Sequence, residues 1–355
     1  MDTVTPSPGA ARRAVDASVV AAWDGLADRT AAVPFARPGW LLPWAEAAGA
    51  RLEALTIWRG PRLAGILPVI ADRRHLRTPA DWHTPWIEAA AEDAAALRAL
   101  TEALATSGFP RVTVDFVPEG GPTAAAATAS LERAGYRLSP RPRLESPFLA
   151  VEGTWERYLA SLSAHRRSEL RRRTRKLEAA GAVTREVHDG NQGLPRLLDE
   201  AFAVEAAGWK GREGTAIASD PALEHFYRRV ASWAAERDWL RLAILRLDGR
   251  PLAFDLALET GGSHYLLKTG YDPDFTTLSP GMLLRVHMME RAFALGLRSY
   301  EFCGAAEPWK LEWAPTTRQV QAIEAFAPTP AGSLARAAFR ISRFARVRTR
   351  RLAGA

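Results

Sequence analysis

Apolar and polar positions are patterned most clearly in the second half of the chain. RLAILRL (241–247), PLAFDLALE (251–259) and HYLLKTGY (264–271) alternate with a period of two and are joined by the tight-turn sequences DGR and TGGS, which predicts three antiparallel strands. Helical spacing surrounds them. TWERYLASLSAHRRSELRRRTRKLEAAG reads as one helix ending at Gly181, a second runs from Leu194 to Ala207, and Asp220 with Pro221 forms the N-cap and first turn of PALEHFYRRVASWAAERD. SPGMLLRVHMMERAFALG is a further helix, and SYEFCG and VQAIEAFAP are the last strands.

In the first half the pattern predicts helices over 17–29, 39–49 and 90–107 and strands in LEALTIW, LAGILPVIA and RVTVDFV, with the Trp-rich DWHTPWIE as a further strand candidate. GYRLSPRPRLESPFLAVEG carries three prolines and reads as edge structure or a linker. Strands and helices in this order predict an α+β fold with a mixed sheet, not a doubly wound one. Neither GxGxxG after a strand nor GxxxxGK[ST] occurs, so the sequence gives no support to those nucleotide sites.

A length of 355 residues predicts two domains, placed at 1–150 and 151–330, with 331–355 as a tail. The net charge of +7 belongs to that tail, whose seven arginines face no acids. The tail is expected to be solvated, or to lie on a membrane surface through Leu334, Ala338, Ile341 and Ala345. No apolar run reaches the length of a membrane span and the N-terminus lacks a signal-peptide core, so a cytoplasmic location is expected, with peripheral contact at the inner face of a membrane as the tail's contribution. Cys303 is the single cysteine and is expected to be buried filler. No histidine falls in a metal-ligand or Ser/His/Asp spacing, so no metal is expected.

Two constellations can carry chemistry. If Gly261 and Gly262 form the hairpin turn, Asp255 lies directly opposite Lys268, either as a cross-strand ion pair or as a tuned base and its electrostatic partner. In LSPG, Ser279 is positioned as N-cap and Pro280 at the first helical turn, so the N–H groups of Gly281, Met282 and Leu283 offer an anion site suited to a pyrophosphate.

Taken together, Trp209, Lys210 and Gly211 in GWKGREGTA, Tyr271 and Asp272 in GYDPDF, Ser279 to Gly281, Tyr300 to Phe302 in YEFCG, and Lys310 and Trp313 in EPWKLEW occur in a family's order. Over residues 154–327 the sequence resembles acyltransferases of the GNAT superfamily, in particular the CelD-like group linked to exopolysaccharide and cellulose biosynthesis, with the Fem aminoacyltransferases as cousins. The first half resembles, more faintly, the degenerate first GNAT-like domain that such proteins carry.

The resemblance implies direct acyl transfer from acetyl-CoA or another acyl-CoA to a small-molecule or sugar amine in a ternary complex. It implies a donor site at Thr269, Gly270 and 279–283, a base at Asp255 with Lys268 beside it or at Glu301, a proton donor at Tyr271 or Tyr265, and acceptor contacts at Trp209, Lys210, Arg166 and Lys310. An O-acyl acceptor stays open. So do a Fem-like reading that uses aminoacyl-tRNA and a non-catalytic adaptor docked at a membrane.

The arginine cluster of 166–176 divides on a helical projection. Arg166 and Arg173 fall on the face of Leu159, Leu162, Leu170 and Leu177 and require a carboxylate, a carbonyl or a bound phosphate; Arg167, Arg171, Arg172, Arg175 and Lys176 point outward.

Overall fold

The computed structural model describes residues 9–208, 214 and 216–353, with side chains as far as Ser342. The chain divides into two compact units, one of Met1–Ala45, Gly49–Glu145 and Arg318–Ala355, the other of Glu46–Ala48 and Ser146–Thr317. Residues 318–330 and the arginine-rich C-terminus therefore group with the first unit.

With elements numbered along the whole chain, the first unit holds β1 (Ala11–Ala14), β2 (Glu53–Arg59), β3 (Arg62–Asp72), β4 (His75–Arg77), β5 (Ala90–Ala91), β6 (Arg111–Pro118) and β13 (Thr316–Phe326). They are ordered β1-β2-β3-β4-β6-β13, with β5 on β3. The pairs are antiparallel except β4 with β6. Helices α1 (Ala17–Arg29), α2 (Pro38–Ala47), α3 (Ala94–Ala105) and α4 (Pro122–Arg133) complete the body. Asp16 and Asp93 start α1 and α3 by accepting the N–H of Val19 and Ala96. The core joins Leu67, Leu76 and Val114 of the sheet to Leu100, Leu104 and Leu131 of the helices.

The second unit holds the C-terminal end of β7 (Arg137–Ala150), β8 (Val183–His188), β9 (Leu240–Leu247), β10 (Arg250–Thr260), β11 (Ser263–Tyr271) and β12 (Ser299–Glu301) in the order β7-β12-β11-β10-β9-β8. Only the β11–β12 pair in it is parallel. Its helices are α5 (Trp155–Ser161), α6 (Ala164–Glu178), α7 (Leu194–Ala207), α8 (Pro221–Glu236), α9 (Pro280–Ala294) and the short α10 (Pro308–Leu311), and α11 (Pro330–Ala353) follows in the first unit. The mixed α+β architecture is the one expected.

Several expectations change. The long arginine helix is two helices: the chain turns extended at Leu162, and Ser163 starts α6 by accepting the Arg166 N–H. Residues 81–88 form no strand, and the proline-rich stretch is the 14-residue strand β7. The C-terminus is helical, with Phe339 of α11 5.5 Å from Phe326 and under the Arg111 guanidinium at 4.8 Å.

Candidate active site

The site starts from two irregularities of β11. Its ladder with β10 keeps hairpin register from Thr260–Ser263 to Ala257–Leu266 and then shifts, so that Leu256 faces Lys268 and Asp255 faces Thr269. Leu267 is the extra residue of a β-bulge. On the other edge, β11 pairs with β12 only over Ser263–Tyr265, so Leu266 to Tyr271 have left that neighbour. Beyond the bulge the Asp272 N–H bonds the Leu252 carbonyl across β10. Strand alternation then turns the N–H groups of Thr269 and Tyr271 toward the edge that β12 has vacated.

A cavity of about 870 Å³ opens there, lined by Thr269, Gly270 and Tyr271 of β11, Gly281, Met282 and Arg285 of α9, and Arg166, Glu169 and Arg173 of α6. Glu205, Glu307, Trp309, Glu312 and Trp313 also line it. Gly270 is required by packing: a Cβ there would stand 2.6 Å from Phe254 Cε1 and 3.1 Å from Glu205 Cα, so α7 crosses directly on β11. Gly281 keeps α9 close to Tyr271, whose Cδ1 would lie 3.3 Å from an added Cβ.

The start of α9 differs from the expectation in its capping. Ser279 sits in the left-handed region and makes no side-chain cap; its Oγ instead accepts from Arg173. The Leu283 N–H closes the first turn on the Ser279 carbonyl at 3.1 Å, which leaves the first-turn N–H groups of Gly281 and Met282 as the outward pair. Pro280 and Leu283 are buried.

The bulge corrects the expected ion pair. Slipping one residue sends Lys268 to the opposite face, where its ammonium lies 5.0 Å from the Tyr227 ring centroid. Asp255 is fully buried and is paired with Arg285, whose Nη2 donates to Asp255 Oδ1 at 3.3 Å and to Thr269 Oγ1 at 2.6 Å. Burial raises the Asp255 carboxyl above its usual range, and Arg285 and a hydrogen bond with Thr269 act against that rise. Asp255 thus stands one layer behind the cavity, and Thr269 and Arg285 are its wall.

The other expected residues disperse. Tyr271 lines the cavity and is 39% exposed, whereas Tyr265 is buried. Glu301 is buried on β12 and accepts from Ser299 Oγ at 2.9 Å. Lys310 donates to the carbonyls of Cys303 and Ala305 at 2.8 and 3.0 Å and pairs with Glu307, while burial lowers its pKa. It thereby holds a turn in which Cys303 and Gly304 both have positive φ. Trp209 and Lys210 lie outside the described residues. Arg166 meets Glu169 and Glu312 at 3.2 and 2.7 Å, and Arg173 shares Glu169, so internal carboxylates satisfy both inward arginines while both still face the cavity. Of the outward five, Arg167 donates to the Ala160 and Leu162 carbonyls and Lys176 to the Thr277 carbonyl; Arg171, Arg172 and Arg175 are exposed.

Sequence reasoning passed over Arg285 and Glu205. Arg285 stacks on Trp309 at 4.2 Å. Its signal was a charge four residues after Gly281 in the apolar run MLLRVHMM, on the helix face that carries the anion site. Glu205 accepts the Ile217 N–H at 2.8 Å.

Comparison with known proteins bears on the fold and on one stretch of the chain. Residues 164–311 match the profile described as an acetyltransferase (GNAT) domain. A search of curated proteins finds no match. Among solved structures, FemX is 13% identical with a TM-score of 0.57, covering 91% of this chain and 99% of that one. The C-terminal domain of a putative lysylphosphatidylglycerol synthetase from Agrobacterium fabrum is 12% identical with a TM-score of 0.55, covering 89% and 95%. A conserved protein of unknown function from Bacteroides thetaiotaomicron is 14% identical with a TM-score of 0.55, covering 90% and 99%. These three likenesses are of fold. Bulged strand, diverging neighbour and helix start all fall within residues 164–311, the part of the chain that matches the GNAT acetyltransferase profile, and this match supports an acyltransferase.

Proposed function

We propose that the protein is an acyl-CoA-dependent N-acyltransferase that modifies an amine-bearing sugar or amino-acid precursor, in the setting of exopolysaccharide biosynthesis. The observation that carries this reading is the edge of β11 left open by β12, with the start of α9 beside it. That edge suits a pantetheine arm. The outward N–H pair of Gly281 and Met282, with Arg173 alongside, suits a pyrophosphate.

On this reading the acceptor nitrogen attacks the thioester carbonyl, a C–N bond forms and the C–S bond breaks. The N–H groups of Thr269 and Tyr271 stabilise the carbonyl oxygen as it gains charge. One acceptor proton passes through the Thr269 hydroxyl to Asp255, which Arg285 keeps in place; the Tyr271 hydroxyl protonates the leaving thiolate and is restored by the acceptor's second proton. Glu205 and Glu307 at the cavity wall favour an ammonium-bearing acceptor over an acidic one. Lys268, on the other face, takes no part.

Mass-shift screening of amine metabolites with purified protein and acetyl-CoA tests the reading. A product 42 Da heavier, lost in Asp255→Asn with acyl-CoA affinity nearly intact, is the expected result; equal loss of both would reduce Asp255 to a structural role. The fold shared with FemX keeps an aminoacyl donor as the second reading, which tRNA binding with a steep salt dependence would favour. Among the described residues no helix is long and apolar enough to cross a membrane. Leu334 and Ile341 of α11 are 67% and 70% exposed, which supports peripheral lipid contact as its role; co-sedimentation with anionic vesicles checks it.

A further inference from the structure

Beneath α9, one face of the second unit's sheet carries polar groups where packing would favour apolar ones. Asp255 and Glu259 lie four residues apart on β10 and share that face. His264 faces Glu259 across the ladder, and Tyr300 is the register partner of His264 on β12. The His264 and Tyr300 rings stack at 4.4 Å, and His264 Nδ1 lies 3.0 Å from Glu259. From above, α9 places Arg285 on Asp255 and Arg291 on Glu259.

Four atoms in this row are buried without a partner among the described residues: Asp255 Oδ2, Arg285 Nε, Tyr300 Oη and His264 Nε2. Left unsatisfied, they would together cost a large share of a domain's net stability. The set mixes a pure acceptor, a pure donor and two groups able to do either. A cation would need acceptors alone and an anion donors alone. Water satisfies both.

We propose that these atoms enclose bound water, which joins Thr269 and Asp255 at the cavity to Tyr300, His264 and Glu259 as a path for the proton released in acyl transfer. The inference rests on the acyltransfer reading. An ammonium acceptor loses two protons on becoming an amide; one goes to the departing thiolate and the other has to leave. That proton enters at Asp255 through the Thr269 hydroxyl. Each link passes one proton on, and one is discharged at Glu259, where the Arg241 and Arg291 side chains reach the surface at 16% and 25% exposure. His264 and Tyr300 never touch substrate and act as relay residues.

A crystal structure of the full chain that resolves solvent, followed by kinetics of Tyr300→Phe, tests the path. The expected result is water within hydrogen-bond distance of Asp255 Oδ2, Tyr300 Oη and His264 Nε2. Tyr300→Phe keeps the ring stack and should lower kcat roughly a hundredfold, with acyl-CoA affinity unchanged and at most a small fall in the thermal midpoint from the lost bond to water. A dry row overturns the proposal, as does wild-type turnover in Tyr300→Phe, since removing an orphaned hydroxyl from a purely structural site leaves catalysis alone. If Tyr300→Phe does not fold, His264→Gln decides by the same kinetics. Wild-type protein that holds the water but turns over no acyl-CoA would sink the acyltransfer reading and leave only the water site.

Discussion

Replacing Arg285 by methionine removes the guanidinium that stands against a fully buried carboxylate, and the consequence can be worked from the geometry. At 3.3 Å and an effective dielectric constant of about 20, the Arg285–Asp255 attraction is about 5 kcal/mol. The Thr269 hydroxyl remains and the carboxyl can take up a proton, so about 3–5 kcal/mol of destabilisation is expected near pH 8. The sign of the pH dependence follows from burial. It already holds the Asp255 pKa above the usual range, and Arg285 is the first influence opposing it. Without Arg285 the native pKa rises further. The unfolded chain then gives up its proton first as pH rises, so stability is lost from about pH 4 up to the raised native value. The gap between variant and wild type should be about 1 kcal/mol near pH 4, from the lost stacking on Trp309, and should widen as pH rises toward the raised native value. Urea unfolding at the two pH values measures it, and adding Asp255→Asn should flatten the dependence. An equal gap at both, or less than about 1 kcal/mol at pH 8, would refute the buried pair.

Three further outcomes follow from the same geometry. Gly270→Ala should cost about 1–3 kcal/mol in urea unfolding, because its Cβ would meet Phe254 and the α7 backbone; a neutral result would mean that α7 and β11 are not in close contact. Lys268→Met should leave the pH profile of kcat unchanged and cost about 0.5–1 kcal/mol from its contact with Tyr227, whereas a shifted profile would restore the pairing with Asp255. Lys310→Met should lower stability by about 2–3 kcal/mol by stripping the Cys303 and Ala305 carbonyls of their donor; thermal unfolding reads this, and loss of acceptor affinity at unchanged stability would return Lys310 to the site.

How far the sequence disclosed this can be seen at single residues. The β10–β11 hairpin was legible because Gly261–Gly262 is a strong turn signal, and register holds as far as Ala257–Leu266. The bulge at Leu267 was not legible, because YLLKTG carries no local mark of it; one unseen residue moved Lys268 to the wrong face. Helix α9 was read from Ser279–Pro280, but Arg285 requires knowing which face meets the sheet. Helix α4, from the alanine-rich PTAAAATASLER, escaped because its apolar periodicity is weak, although alanine favours a helix by itself. The return of the chain to the first unit at Arg318 depends on β13 pairing with β6, some 200 residues earlier, which no local pattern encodes.

The central claim is that the open edge of β11 and the start of α9 hold an acyl-CoA, and calorimetric titration of wild type and Gly281→Asp with acetyl-CoA tests it most directly. An aspartate in the first turn is favourable for α9 itself, so the fold should persist while its charge repels a pyrophosphate. Binding to the wild type, weakened by about tenfold or more in Gly281→Asp, is the predicted result. Absence of binding for both short and long acyl-CoA, or equal affinity in the two proteins, would contradict it.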